Sequence, residues 1–180
     1  MKTLILMRHA KSDWSGPGVQ DHDRPLNTRG QKAAVRMAGY LVDHALLPDL
    51  VLCSTAKRAR QTLDALLAAV EVDLPVHYRR ALYFTSPDVI LEEIRDTPDA
   101  LNARVDSLML VGHNPDTQAV ALHLAGDALD PAVSAIAQKF PTGSAAVFRF
   151  NVTHWRDVAW GAGILQAFVK PKALKDPDEH

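Results

Sequence analysis

At 180 residues, 47% hydrophobic and 23% charged, the chain has the composition of an ordinary globular domain, long enough to bury a core without disulfide or metal staples. A net charge of −1 and a pI near 6.7 exclude any global pull toward nucleic acid or an anionic membrane, so an anion site must be assembled locally from a few cations. The single cysteine, Cys53, excludes an intramolecular disulfide, and no apolar run approaches the ~20 residues of a membrane span.

In chain order, residues 3–7 (TLILM) predict a buried strand that stops abruptly at Arg8-His9. That run is too short for a signal peptide and lacks a small-residue cleavage site; with the lone thiol, this points to a reducing cytoplasm. Residues 15–25 form a loop by their Gly, Pro and Asp content. Apolar residues recur at helical spacing over 32–46, with Asn27 or Thr28 as cap and Pro48 as stop. A second strand spans 49–54, an Ala- and Leu-rich helix 58–70, and a further strand 75–83. Ser86 and Pro87 open a helix over 86–96. A buried strand covers 107–112, and a helix over 117–126 is closed by Gly126. The alternating segment 144–152 and a last strand, 164–170, have no obvious helix between them, which predicts a hairpin ending at a sheet edge. Strands alternating with helices predict an α/β fold with a largely parallel sheet. One domain over 1–172 and a disordered tail over 173–180 complete the organisation.

Three buried strands run out into polar residues of one kind. The first ends at Arg8-His9, the second leads through Ser54-Thr55 to Lys57-Arg58, and the third ends in Gly112-His113-Asn114-Pro115. Open α/β sheets bind ligands beyond the carboxyl ends of their strands. If these strands are parallel neighbours, Arg8, His9, Arg58 and His113 meet in one crevice, and helices starting near Arg58 and Thr117 aim N–H groups at it. Two guanidiniums oppose a metal cation, so no metal or other cofactor is expected; they favour phosphate or carboxylate. Imidazole is nucleophilic when neutral, and nearby arginines disfavour its protonation. A tetrahedral anion fits this set best.

Each residue also has a plainer reading. Arg8-His9 is a strand end, Arg58 a solvated helix residue like Lys57 and Arg60, and His113 a cap for the next helix. Arg24 either pairs with Asp21 or Asp23 or edges the pocket. Trp14 packs over the loop or lines the substrate mouth. His22, His44, His77, His123 and His154 have no partner pattern and are structural or surface residues. Cys53 misses the Cys-x5-Arg spacing of cysteine-dependent phosphatases by one residue, so it is expected to be a buried strand residue.

Four blocks carry a resemblance: LMRHAKSDWS (6–15), DRPLNTRG (23–30), CSTAKRARQT (53–62) and VGHNP (111–115). In this order they resemble the histidine phosphatase superfamily, with Ala10 where its signature has Gly. The resemblance implies a three-layer α/β/α fold with a central, mostly parallel sheet, as in phosphoglycerate mutases. It implies His9 as a nucleophile that becomes phosphohistidine, and Arg8, Arg58 and His113 as the groups that clamp the phosphoryl oxygens. Ser15 stands where part of the family places a phosphate-binding Asn, and Arg24 is the second candidate binding residue. The ALYFTSPD stretch and the short length resemble the SixA-type protein-phosphohistidine phosphatases. The implied partner is a phosphohistidine-bearing protein domain. The alternatives are a small phosphorylated metabolite, for a phosphomonoesterase of the same superfamily, or a non-catalytic phosphate-binding module. Neither nucleic acid nor membrane is expected as a partner.

The leaving group supplies a separate physical argument. Mutases and many monoester phosphatases of the superfamily carry an acid after the second block. Here Asp88, Glu92 and Glu93 fall on the predicted helix, and Asp116 follows the second histidine. Protonating an alkoxide leaving group is worth about 10²–10⁴ in rate. A leaving imidazole, with a pKa of about 6.5, departs with little help. A chain without an evident acid therefore suits phosphohistidine.

Overall fold

In the computed structural model, which describes residues 1–176, the first apolar run becomes β1 (Lys2–Arg8), buried on both faces at Leu4, Ile5, Leu6 and Met7. The chain continues through α1 (Thr28–Asp43), β2 (Leu50–Ser54), α2 (Lys57–Ala69), β3 (Val76–Arg79), α3 (Pro87–Arg95) and β4 (Ser107–Gly112). It ends with α4 (Asp116–Leu124), α5 (Pro131–Gln138), β5 (Ala145–Phe150) and β6 (Ile164–Val169). The six strands form one sheet in the order β3-β2-β4-β1-β5-β6. Pairs β3/β2, β2/β4 and β4/β1 are parallel, while β1/β5 and β5/β6 are antiparallel. β5 therefore runs alone against five strands of common direction. The sheet is mostly parallel, as expected.

The strand period of two divides the apolar residues between two cores. Ile5, Met7, Val51, Cys53, Met109 and Val111 face α1 and α2, where Met37, Leu41, Leu63 and Leu66 meet them. Leu4, Leu6, Leu50, Leu52, Leu108 and Leu110 face the other way, onto Ile90, Ile94, Val120, Leu124 and Ile136 of α3, α4 and α5. The result is helix layers on both faces of the sheet. Cys53 is fully buried in the first core, and burial pushes its thiol up to about 12, so it stays a protonated packing group. No helix among the described residues is long and apolar enough to cross a membrane.

Several boundaries differ from the sequence pattern for local reasons. Asn27 is the cap of α1, accepting from Gly30 N–H at 2.8 Å, and the helix stops at Asp43 before Ala45 turns to φ +54°. The strand expected over 75–83 stops at Arg79, because its partner β2 ends at Ser54, opposite Arg79. The chain then turns through 80–82 and carries Tyr83 and Phe84 over the sheet end. α5 escaped the periodicity because only Val133 and Ile136 of its side chains are buried; its visible signal was Asp130 as cap, bonded to Ala132 N–H, and Pro131 in the first turn. β5 and β6 do pair as antiparallel neighbours, with β6 at the edge. Their link is wide rather than tight, since it buries Trp155 in a short 3₁₀ turn. Of the tail expected to be disordered over 173–180, Leu174 packs on the α1/α2 core and Asp176 bonds Arg36 at 2.6 Å; residues 177–180 lie outside the described residues.

Candidate active site

β1, β2 and β4 finish level with one another, Arg8 opposite Gly112 and Cys53 opposite Val111. His9 and His113, which follow β1 and β4, and Ser54, the last residue of β2, consequently meet at the carboxyl end of these strands. The backbone there is held from three sides. His9 N–H donates to Gly112 O (3.0 Å), and Arg8 N–H to Ser144 O (3.1 Å). Gly143 N–H is shared between the carbonyls of Arg8 (3.1 Å) and His9 (2.9 Å). Gly143 has φ +76°, which only glycine adopts without strain, so the turn before β5 is shaped to hold the Arg8-His9 carbonyls. Ala10 N–H donates to Thr62 Oγ1 (2.9 Å), which ties the segment to α2. The methyl of Ala10 fills a small apolar cluster with Leu26 and Ala34, which is how alanine is accommodated at the glycine position of the signature.

His9 Nδ1 lies 2.6 Å from its neighbour's carbonyl, Ala10 O. A carbonyl only accepts, so Nδ1 carries the hydrogen and Nε2 keeps its lone pair. Arg58 Nε donates to that lone pair at 3.3 Å. The rest of the Arg58 guanidinium grips Asp21: Nη1 donates to its backbone carbonyl (2.7 Å) and Nη2 to Oδ2 (3.0 Å). Asp21 also accepts from Tyr83 O–H, and from Arg24 Nε and Nη2 at 3.1 and 3.0 Å. Arg24 completes its shell with Ser12 Oγ (2.7 Å) and lies over the Trp14 ring, 3.4 Å from its centre. Arg8 Nη1 donates to Phe140 O at 2.9 Å.

His113 faces His9 with ring centres 5.0 Å apart, and its Nε2 is 2.8 Å from Ser54 Oγ. That hydroxyl accepts from Ala56 N–H, and we assign its own hydrogen to Nε2, the acceptor within reach. The second hydrogen of the pair then belongs on His113 Nδ1. Among the described residues neither His113 Nδ1 nor Arg8 Nε has a hydrogen-bond partner, although both are buried. Two buried, unsatisfied donors beside a free imidazole lone pair are what a tetrahedral oxyanion would complete. The pocket these groups line has a volume of about 520 Å³, and Trp14, Phe84 and Lys139 stand on its walls.

Burial is the main reason both imidazoles stay neutral. It drives His9 down to about 4; the Ala10 carbonyl opposes this, and Arg58, Arg8 and Arg24 add to it. His113 falls to about 3, first by burial and then through His9 and Arg58. The sequence pointed to the arginines, which act in the right direction but as the smaller cause. Asp21 behaves oppositely. Burial alone raises it, yet hydrogen bonds from Tyr83, Arg58 and Arg24 outweigh that and hold it at about 2, as a carboxylate.

These shifts have a consequence for stability. The folded values of His9 and His113 lie below the ~6.5 of an unfolded imidazole, so acid favours the unfolded chain, which takes up the protons first. In phosphate-free buffer, stability should be complete above pH ~6.5 and decline toward pH ~4, with about 1–2 kcal/mol lost per imidazole by pH ~5. Asp21 loses its contribution only as pH falls below the unfolded carboxylate value of ~3.9, so the two windows separate. Thermal melts at stepped pH check this: a His9→Gln/His113→Gln double variant should show a much flatter profile between pH ~6.5 and ~5.

The structure brings Arg8, His9, Arg58, His113 and Arg24 into one pocket. Arg24 does both things expected of it, pairing with Asp21 and lining the pocket. Ser15 does not reach the pocket; it is exposed, and its hydroxyl is held by Asp13 Oδ1 at 2.6 Å. The acid candidates also point elsewhere. Asp116 Oδ2 accepts from Thr85 N–H (3.0 Å), Glu93 pairs with Arg79, and Asp88 and Glu92 are exposed on α3. Sequence reasoning missed Asp21 as the hub of the arginines, although its i,i+3 spacing from Arg24 was the available signal. It also missed Ser54, Lys139, Tyr83 and Phe84, whose approach depends on turns with no local signature.

A profile of the histidine phosphatase superfamily (branch 1) matches residues 4–83. The chain is 43% identical over 168 residues to an uncharacterized protein of Mycobacterium tuberculosis strain H37Rv, covering 92% of this chain and all of that one. Two solved structures, from Nakamurella multipartitia and Agrobacterium tumefaciens, are each described as a "putative phosphohistidine phosphatase SixA". The first is 34% identical with a TM-score of 0.80, over 94% of this chain and 96% of that one. The second is 31% identical with a TM-score of 0.77, over 94% and 98%.

Proposed function

The chain belongs to the histidine phosphatase superfamily, among its SixA-type phosphatases, and on that premise we propose that it hydrolyses protein phosphohistidine through a phosphorylated His9. In the first step His9 Nε2 attacks phosphorus in line. The Nε2–P bond forms as the substrate P–N bond breaks, and the electron pair leaves with the substrate imidazole. Arg8, Arg58 and His113 donate to the phosphoryl oxygens, whose charge is spread in the transition state. Arg58 Nε moves its hydrogen bond from Nε2 to an oxygen as phosphorus arrives. The Nδ1–H contact with Ala10 O holds the ring in its attacking tautomer and supports the charge that develops on it. In the second step water attacks phospho-His9, the electron pair returns to Nε2, and inorganic phosphate departs.

The observation that carries the phosphohistidine reading is the state of Asp21. Among the described residues it is the carboxylate on the pocket wall, and three side chains that donate to it hold it ionised, with its pKa at about 2. A group so clamped has no proton to give an alkoxide at neutral pH. An imidazole leaving group, already protonated on its other nitrogen in part of the population, needs none. A reducing cytoplasmic setting suits the free, buried Cys53.

The test is a substrate panel. A phosphohistidine peptide should exceed sugar phosphates and nucleotides in kcat/KM by about 10²-fold or more, the worth of the missing protonation. Equal or faster turnover of alkyl monoesters would overturn the reading in favour of a small-molecule phosphomonoesterase.

A further inference from the structure

A second groove, of about 290 Å³, adjoins the pocket and shares Lys11, Pro141 and Thr142 with it. Its cations are Lys11, Arg29, Lys32, Arg36, Lys170 and Lys172. The pocket itself is lined by five cations, Lys11 among them, so the two together take ten of the chain's 20 Lys and Arg residues. In a chain of net charge −1 this is a strong local asymmetry, which leaves the remaining surface acidic. The placement follows from α1: Arg29, Lys32 and Arg36 are spaced i, i+3, i+7 and so share one face of that helix, with Lys170 and Lys172 across the groove.

Cations elsewhere in the molecule have carboxylates built in beside them. Buried Lys2, at the other end of the sheet, is met by Val105 O and by the carboxylates of Asp99 and Asp106. The walls of the groove among the described residues include no Asp or Glu. Arg36 already holds a carboxylate, that of Asp176, at 2.6 Å. One cation of the groove thus already meets an acidic side chain of this same protein.

We propose that this groove docks an acidic stretch of the phosphorylated protein, seated as its phosphohistidine enters the pocket. The partner class rests on the phosphohistidine reading above. Length favours a polypeptide over a metabolite. From Arg29 to Arg36 the helix face runs about 10 Å, the span of roughly three extended residues, and this lies beyond the pocket that takes the phosphoryl group. Cations along such a path raise the encounter rate and set the register of an acidic chain.

Two synthetic phosphohistidine peptides test this, one with a run of Glu beside the phosphohistidine and one with Ser in its place. At low salt the wild type should prefer the Glu peptide about tenfold in kcat/KM, with the preference shrinking as salt rises. The Arg29→Ala/Lys32→Ala/Lys172→Ala variant should lose that preference and retain wild-type turnover of the Ser peptide. Fluorescence anisotropy with the unphosphorylated Glu peptide reads the groove without chemistry, and the same variant should weaken that binding about tenfold. If the Glu peptide does not bind, if binding ignores the triple substitution, or if a single-stranded oligonucleotide binds the groove more tightly, the docking proposal falls. If binding behaves as expected but neither peptide is dephosphorylated, the groove stands and the phosphohistidine reading falls.

Discussion

His9→Ala is expected to lower phosphohistidine hydrolysis by about 10⁴-fold or more, the scale on which loss of a covalent nucleophile is felt. The geometry explains why no neighbour takes over. His113 is the other imidazole in the pocket, but its Nε2 is engaged by Ser54, and in the tautomer assigned above its Nδ1 carries the hydrogen, which leaves no free lone pair to attack with. The fold should tolerate the change, because His9 contributes one imidazole to a pocket wall while its backbone is tied by Gly112 and Gly143. Rapid quench with labelled phosphohistidine peptide provides the measurement. The wild type should accumulate acid-labile, base-stable label on His9 within the first turnover, and the variant none. Hydrolysis by the variant at the wild-type rate, or label on another residue, would remove the mechanism.

Arg58→Ala is expected to cost about 10³-fold in kcat/KM, at the upper end for losing one oxyanion donor. The excess has an electrostatic source. Arg58 is 2% exposed and contributes two of the donors that surround Asp21. Without it, a carboxylate is left beside the incoming phosphoryl group with Arg24 and Tyr83 as its remaining side-chain donors. Two like charges then share the pocket. A second substitution, Asp21→Asn, removes that repulsion, so Arg58→Ala/Asp21→Asn should recover about tenfold over Arg58→Ala alone. In the wild-type background, Asp21→Asn should be harmful, because it frees Arg58 from its anchor. That change of sign is the discriminating result. If Asp21→Asn lowers kcat/KM by the same factor in both backgrounds, the two residues act independently and Asp21 is not the anchor of Arg58.

Much of the architecture was legible in advance because it is written in local pattern. The runs at 3–7, 49–54 and 107–112 have unbroken apolar centres at 4–7, 50–53 and 108–111, too short for a helix and suited to strands buried on both faces, and they became the adjacent strands β1, β2 and β4. Ser86-Pro87 opened α3 where cap chemistry placed it, through Ser86 Oγ and Val89 N–H. The failures have local causes too. α5 buries too few side chains to show a period, and the end of β3 is set by where its partner strand stops. Ser15 illustrates a different limit. Its place in the first block suggested a phosphate contact, but Asp13, two residues away, captures its hydroxyl first.

By itself, then, the sequence determined which chemistry was possible: two arginines and two histidines, each set just past a strand or at the start of a helix, and no disulfide. It did so because strand ends, caps and blocks are short-range signals. Only the tertiary structure decided how those groups behave. Burial, more than the arginines, keeps His9 neutral, and Asp21 reaches Arg58 across 37 positions of chain. After an edge strand ends early, Phe84 lines the pocket and Tyr83 reaches Asp21 and the His113 ring. The exposed cations of α1 lie beside the pocket because α1 packs where Gly30 meets the Lys11 backbone, a site at which a Cβ would come within 2.0 Å of Lys11 O. Desolvation and contacts between distant segments arise only once the chain has closed on itself, and they carry no mark in any short window of residues.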